Sequence, residues 1–404
     1  MLRALRALLF LLIVTFPACG EGGESSSRAA SDHTRSADEL ASYPLAYDSI
    51  LLAEDERTYL GNPFNFVIER DVSGSMEGVW VSDFFANAVF GFGPDGDFQT
   101  RIGLPGHGPN ELASAGSVFL DPSGQIGVTD RRNAVVKWFD RDLGEAVRLE
   151  PYGSGYGGIT PPVPLGDDWS RLAFPVLDLE ALTSVAILDT DSGAWTRTGT
   201  VPAGYPRSVQ EGGAGFAAHF IFSLLAPLGP NDLLLGFQGS EILYRHRVGG
   251  DRSTPLGRIP RRVRKGADDD LWEAFEGAAQ PGDPLPFEWA SNMDEMGVLE
   301  DGRIAVVHVD RSYEGEPPSI VLTGTHYLTV LDPESDRACV DIPVPGGSDT
   351  RASFTIDGGL LYVLDRRITD AAAEPWLLIL PIPSSGECPE AHRHEGWLYN
   401  PDGR

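Results

Sequence analysis

Two stretches decide the fold: residues 81–93, VSDFFANAVFGFG, and residues 128–140, VTDRRNAVVKWFD. In each copy an apolar residue stands two positions before an aspartate. A short turn follows, and Asn-Ala-Val then opens an apolar stretch that ends near an aromatic residue. Asp83 and Asp130 are 47 residues apart, as are Phe92 and Phe139. A pattern that recurs at this interval is typical of a supersecondary unit copied along the chain.

Each copy belongs to a longer segment that predicts four short strands separated by turn residues. The first segment contains FNFVIE, GVWVSD, NAVFGF and DFQTRI, and the second contains GSVFLD, QIGVTD, NAVVKWFD and EAVRLE. The second-strand pattern returns in GRIAVVHVDR (302–311) and GGLLYVLDRR (358–367). Four-stranded antiparallel units that repeat every 40–50 residues predict an all-β fold, the β-propeller.

The repeats predict six blades of four antiparallel strands, with seven blades as the alternative that the chain length permits. The predicted blades lie near residues 62–103, 115–150, 163–202, 215–260, 287–344 and 350–395. One helix is predicted, over residues 268–279. Open propeller rings leave exposed strand edges. We therefore expect residues 47–56, YDSILLAEDE, to complete the last blade as its outer strand.

Residues 62–150 resemble tandem NHL repeats. The likeness rests on the two repeated stretches and on GLPGHGPNELASAGSV, which resembles the glycine-rich passage of that family into its next blade. The sequence also resembles exported bacterial six-bladed propellers related to the family. What the resemblance implies is a propeller, and it implies no particular activity.

The N-terminal segment predicts export. Arg3 and Arg6 precede an apolar run that ends at Phe16, which is the pattern of a signal peptide over residues 1–18. FPAC resembles a bacterial lipoprotein signal, which implies lipidation of Cys19; an ordinary cleaved signal is the alternative. Residues 19–40 are polar and rich in Gly and Ser, as a flexible tether would be. Residues 41–395 then form the propeller, and 396–404 a C-terminal tail.

The resemblance to a lipoprotein signal implies a membrane anchor, with the outer membrane or the periplasm as the expected location. The formal charge of −28 argues against nucleic acid as a partner. The one basic cluster, Arg261–Lys265, is followed by three aspartates that neutralise it. No His-Glu-x-x-His zinc motif and no Gly-x-x-x-x-Gly-Lys phosphate loop occurs. The one formal Gly-x-Gly-x-x-Gly, at residues 91–96, contains a proline and lies between two predicted strands, so it is interpreted as a hairpin turn. We therefore predict neither a cofactor nor a metal.

The aspartate that ends the second strand recurs as Asp83, Asp130, Asp310 and Asp365. Such residues accept hydrogen bonds from turn amides, which is the structural interpretation. The propeller resemblance places these turns on one rim of the channel, where they would carry several arginines. Guanidinium groups clustered there would favour binding of carboxylate or sulfate groups. The candidate binding residues are Arg131, Arg132, Arg311, Arg366 and Arg367.

His308 stands two residues before Asp310, so the two side chains are expected on one face of a strand. The pair is either an acid/base pair or a satisfied polar contact between blades. We count both residues among the candidate site residues.

Two functions of different classes fit the sequence. The first is a non-catalytic binding module that presents a rim to a peptide, a glycan or an envelope protein. The second is a propeller hydrolase of the lactonase type, with a channel metal held by residues such as Glu69, Asn292 and Asp294. We favour the binding module and leave catalysis open.

Three cysteines are present, and lipidation of Cys19 would leave Cys339 and Cys388. Disulfides persist in exported proteins, and these two cysteines lie near the ends of the last two predicted blades. The sequence predicts a disulfide between them, against the alternative of two unrelated buried thiols.

Overall fold

The computed structural model describes most of the propeller and the segment that follows it as far as residue 399. The described residues are 43–54, 58–141, 144–151, 156–157, 161–166, 169–178, 181–201, 223–238, 240–250, 252–260, 291–314, 321–346, 352–368 and 373–399. The predicted signal peptide, Cys19, the tether and the predicted helix 268–279 lie outside them. In the described part the regular structure consists of β-strands and one short 3₁₀ helix, Glu390–His392. None of its helices is long and apolar enough to cross a membrane.

Six antiparallel sheets form the blades, and the strands of each blade run in order from the innermost to the outermost. Blade one contains β2 (Pro63–Arg70), β3 (Met76–Asp83), β4 (Ala88–Phe92) and β5 (Phe98–Ile102). A parallel pair, β6 (Leu104–Pro105) and β7 (Glu111–Leu112), lies in the link to the next blade. Blade two contains β8 (Ala115–Leu120), β9 (Ile126–Asp130), β10 (Val135–Phe139) and β11 (Ala146–Pro151).

Blade three has an inner strand that is split in two, β12 (Tyr156–Gly157) and β13 (Val163–Pro164). Prolines at 161, 162 and 164 remove the backbone donors that a continuous strand needs. Its other strands are β14 (Arg171–Asp178), β15 (Thr183–Asp189) and β16 (Trp195–Thr198). Blade four contains β17 (Ser223–Gly229), β18 (Asp232–Phe237), β19 (Ile242–Arg247) and β20 (Ser253–Arg258).

Blade five contains β21 (Ser291–Val298), β22 (Ile304–Glu314), β23 (Val321–Asp332) and β24 (Arg337–Pro343), with β28 (Arg393–Glu395) as a fifth, outermost strand. Blade six contains β25 (Ser353–Asp357), β26 (Leu360–Ile368), β27 (Ala373–Pro381) and, outermost, β1 (Asp48–Leu51).

The ring closes as the sequence predicts. β1, from the N-terminal end, pairs antiparallel with β27, so that Asp48 lies opposite Ile379 and Leu51 opposite Trp376. The residues that follow β1 anchor the closure, because the Leu52 N–H donates to the carbonyl of Pro375 at 2.9 Å and Leu52 is fully buried.

The end of the chain departs from the expected blade boundaries. Residues 393–395, assigned from the sequence to blade six, extend blade five instead, because β28 pairs with β24. The predicted tail also begins inside the fold. Trp397 is buried in the apolar cluster between blades four and five, and its indole N–H donates to the carbonyl of Asp332 at 3.2 Å. β28 has only three residues, which are too few to show the alternating pattern of a strand, so the sequence does not predict it.

The core is divided among the interfaces between neighbouring blades. A separate cluster of buried apolar side chains fills each of the six interfaces, including the one between blades six and one. Six interfaces that return to their starting blade make a closed ring, so the prediction of six blades is confirmed and the alternative of seven is wrong.

The alternating strand directions give the ring two distinct faces. The turns from second to third strand, and the links between blades, lie on what we call the upper face. The remaining turns lie on the lower face, where the described chain begins: the Tyr43 hydroxyl donates to the carbonyl of Pro381, at the end of β27, at 2.7 Å.

The predicted disulfide between Cys339 and Cys388 is present, with 5.7 Å between the Cα atoms. It joins the outer part of blade five to the segment that follows β27.

Candidate functional site

A group of exposed aromatic side chains lies on the upper face above blade one, between two arginines. Phe85 is 66% exposed and Tyr59 is 64% exposed, whereas most large apolar residues of the described chain are buried. We call this surface the aromatic rim, which consists of Tyr59, Phe64, Phe84, Phe85, Arg131 and Arg366.

The rim is continuous. The ring centroids of Phe64 and Phe84 are 6.5 Å apart, and those of Phe84 and Phe85 are 6.1 Å apart. Gly61 lies between Tyr59 and Phe85, because a Cβ atom placed on it would be 3.4 Å from Tyr59 and 3.5 Å from Phe85. Aromatic groups at these distances form one apolar surface rather than isolated exposed residues.

Asp83 fixes the turn that presents the two phenylalanines. Its Oδ1 accepts hydrogen bonds from the amides of Phe85 (2.9 Å) and Ala86 (2.7 Å). Asn87 closes the turn with φ of 47°, a conformation that asparagine tolerates better than most residues. The turn is therefore held by hydrogen bonds from its amides to the Asp83 carboxylate, and the phenylalanine rings are left exposed.

Tyr59 is presented by the link that closes the ring. Its neighbours Thr58 and Leu60 are both fully buried, so the chain is anchored on each side of the exposed ring. The Leu60 amide donates to Oε1 of Glu54 at 2.7 Å. Burial raises the pKa of the Glu54 carboxyl, and the charge of Arg366 acts in the opposite direction.

The two arginines occupy opposite ends of the rim. The guanidinium carbon of Arg131 lies 5.3 Å from the ring centre of Phe64, and that of Arg366 lies 4.7 Å from the ring centre of Tyr59. Arg366 also donates from Nη1 to the carbonyl of Gly61 at 3.3 Å. Contacts of this kind hold a guanidinium over an aromatic face.

The repeated aspartates of blades one and two connect their blade to the preceding link. Oδ2 of Asp83 accepts from the Asn62 amide at 2.7 Å, and the Asp130 carboxylate accepts from the amides of Ala113 and Ser114, each at 3.2 Å. The buried Lys137 ammonium lies 3.1 Å from Oδ2 of Asp130. Asp365 is buried near Gly346, which also precedes an inner strand. These contacts belong to architecture rather than to ligand binding.

The other candidate residues divide into two groups. Arg132 is exposed beside Arg131, whereas the side chains of Arg311 and Arg367 lie outside the described part. His308 and Asp310 are buried in blade five rather than presented on the rim. Nε2 of His308 lies 3.1 Å from Oδ1 of Asp341, and the imidazole stacks on Tyr327 at 5.5 Å.

The residues considered for a channel metal are not brought together. The Glu69 carboxylate is bound by the guanidinium of Arg141 and accepts from the indole N–H of Trp80 at 2.9 Å, near the lower end of blade one. Asn292 and Asp294 lie on the inner strand of blade five, and Asp294 is 3.5 Å from Nε2 of His326. Within the described residues no group of three or more His, Cys, Asp or Glu side chains is arranged to hold a metal ion.

Solved structures resemble this fold. A member of the DUF4221 family from Bacteroides vulgatus superposes with a TM-score of 0.55 at 11% identity, over 83% of this chain and 96% of that chain. A Bacteroides fragilis protein thought to be exported gives a TM-score of 0.54 at 12% identity, over 84% and 95%. A virginiamycin B lyase from Staphylococcus aureus superposes with a TM-score of only 0.46, so we draw no conclusion from it.

At these identities the likeness shows the fold alone. Comparison of the sequence with protein-family models and with curated proteins gives no match. The relation to NHL repeats therefore stays a prediction.

The candidate residues predicted from the sequence do not include the aromatic members of the rim, although the sequence contains a signal for them. The turn that holds Arg131 and Arg132 in the second repeat holds Phe84 and Phe85 in the first. Two phenylalanines at a turn position, where the chain meets solvent, indicate an exposed apolar surface.

Proposed function

We propose that the protein is a binding module that holds a polypeptide partner on its aromatic rim. The observation that carries the proposal is the continuous surface from Arg131 through Phe64, Phe84 and Phe85 to Tyr59 and Arg366. Tyr59, Phe84 and Phe85 are its exposed members, and the others are half-buried. Aromatic residues and arginine are enriched among the residues that dominate protein interfaces. Because the turn and the link are fixed by buried contacts, little conformational entropy is lost when a partner binds.

The partner's chemistry follows from the rim. Four aromatic rings match apolar side chains, and the arginines at the two ends match carboxylates, which guanidinium groups bind in a bidentate manner. The partner is thus a polypeptide segment that carries acidic and apolar residues. The exposed Arg132 extends the positive end of the surface.

We further propose that the protein is exported and held at a membrane by a lipid on Cys19. Support comes from the charged and apolar pattern of residues 1–18, the polar tether after Cys19, and the fold likeness to a protein thought to be exported. Labelling with a fatty acid tests the anchor. We expect label on the wild type and none on Cys19→Ser, and an exported wild type without label would contradict the anchor.

A random peptide library selected against the purified protein tests the rim. We expect enrichment of peptides that combine Asp or Glu with aromatic or aliphatic residues. Phe85→Ala and Arg131→Ala should each weaken binding of a selected peptide about tenfold or more. Raised salt should weaken it as well, because exposed charges are screened.

Val72→Ala is the matched control, since Val72 is an exposed apolar residue in the lower-face turn between β2 and β3. It should leave peptide affinity unchanged. Peptides that bind all three variants equally would contradict the rim as the binding surface. Binding of glycans in place of peptides on a glycan array would contradict the proposed partner class.

A further inference from the structure

A cavity of about 460 Å³ lies on the lower face, on the opposite side of the ring from the aromatic rim. Its walls are the outer part of blade five, β28 and the segment 383–388 that follows β27. The Cys339–Cys388 disulfide lines it and fixes the position of that segment. A cavity of this size accommodates a small organic molecule.

Three arginines line the cavity, in a protein whose formal charge is −28. Arg303 is the most buried of them, with 15% of its side chain exposed; its Nε donates to Asp301 at 2.7 Å and its Nη1 to the carbonyl of Pro383 at 2.6 Å. Arg393 donates from Nε to the carbonyl of Cys388 at 3.1 Å. These bonds orient the guanidinium groups and use only some of the five N–H groups that each carries.

The acidic residues of the lining are already engaged. Oδ1 of Asp332 accepts from the amides of Glu334 and Ser335, and its Oδ2 accepts from the Ser335 hydroxyl at 2.6 Å. These hydrogen bonds hold the pKa of Asp332 below its ordinary value. Glu395 faces Arg337 at 3.5 Å, where both side chains are largely exposed and the attraction is weak. Arg303 and Arg337 therefore each face one carboxylate, Asp301 and Glu395, and the printed contacts use only some of the N–H groups of the three arginines.

The remaining lining is apolar or weakly polar, apart from the imidazole of His394. Val330, Ala338 and the disulfide supply an apolar wall, and Ser384 and Ser385 lie at its edge. We infer that this cavity is a second binding site, which takes a small organic anion: a carboxylate or sulfonate group held by the arginines and a compact apolar body against Val330 and the disulfide. The inference is independent of the aromatic rim and of any polypeptide partner.

Calorimetric titration of the purified protein with naphthalene-1-sulfonate tests this site, with the uncharged naphthalene-1-sulfonamide as the matched ligand control. We expect the sulfonate to bind and the sulfonamide to bind at least about tenfold more weakly, because charge-assisted hydrogen bonds are lost. The double variant Arg337→Gln/Arg393→Gln should weaken sulfonate binding about tenfold or more. Both side chains are exposed, so the variant is expected to fold, and thermal unfolding checks that it does.

Arg245→Gln/Arg247→Gln is the matched control protein, since it removes two exposed arginines from β19 of blade four. It should bind the sulfonate as the wild type does. Phe85→Ala/Arg131→Ala should also leave this binding intact, which separates the cavity from the rim. Absence of sulfonate binding, equal binding of the sulfonamide, unchanged binding by Arg337→Gln/Arg393→Gln, or loss of binding in the rim variant would each overturn the inference.

Discussion

Glu295 makes the stability of the ring depend on pH. It lies on β21, the inner strand of blade five, and is 8% exposed. Burial raises the pKa of its carboxyl from the ordinary value of 4.5 to about 8; the hydrogen bond from the Met296 amide, at 2.9 Å, opposes this shift only in part. The carboxyl is therefore protonated in the folded protein at neutral pH.

The direction in which stability changes with pH follows from proton binding. Between pH 4.5 and 8 the unfolded chain loses this proton while the folded chain keeps it, so the folded state is progressively disfavoured as pH rises. Each pKa unit corresponds to about 1.4 kcal/mol. Below pH 4.5 the carboxyl is protonated in both states and does not lower the free energy of unfolding. At pH 7 its titration lowers that free energy by roughly 3 kcal/mol.

The variant Glu295→Gln removes the titration and keeps the side-chain oxygen that accepts from Met296. We expect the free energy of unfolding of the variant to exceed that of the wild type by an amount that grows to about 3 kcal/mol between pH 4.5 and pH 7. Urea unfolding followed by tryptophan fluorescence across this range measures the difference. Glu77→Gln, which removes an exposed carboxylate from β3, is the matched control. Parallel pH profiles for wild type and Glu295→Gln would refute the reasoning.

Three further predictions concern what holds the ring together. Replacing Cys339 and Cys388 by Ala should lower the free energy of unfolding by about 4 kcal/mol for a separation of 49 residues, as urea unfolding measures; two alkylatable thiols in the protein isolated without reductant would contradict the disulfide. Deleting residues 43–54 removes β1 and should destabilise the whole propeller, so a truncated chain that melts like the full one would contradict the closure. Lys137→Met removes the buried ammonium that contacts Asp130 and the carbonyls of Gly108 and Glu111, and it should cost about 3 kcal/mol in the same assay; an unchanged value would show that the ammonium does not stabilise this link.

The fold could be predicted because its information is local and repeated. Asp83 and Asp130 mark the same turn in two blades, and the apolar alternation around them is long enough to reveal strands. Ring closure was predictable for a topological reason, since an incomplete last blade needs a strand from the other chain end. Residues 47–56 were the alternating segment available for it.

The C-terminal segment and the rim could not be predicted in the same way. β28 has three residues, and its pairing with β24 depends on the disulfide and on the burial of Trp397, which are tertiary contacts. Arg131 and Arg366 could be assigned to the upper face. The burial of His308 within blade five could not be predicted, because it depends on packing against Asp341 and Tyr327. An alternating strand pattern predicts which face of the sheet a side chain lies on, but it does not predict how deeply that side chain is buried.

Site-specific photo-crosslinking tests the central claim, that the aromatic rim holds a polypeptide partner. A benzophenone amino acid is placed at Phe85 on the rim, or at Val72 on the lower face, and the protein is irradiated in intact cells that produce it. We predict a discrete crosslinked polypeptide from position 85 that is lost when Arg131→Ala is added, and none from position 72. Absence of the adduct at position 85, or equal adducts at both positions, would contradict the claim.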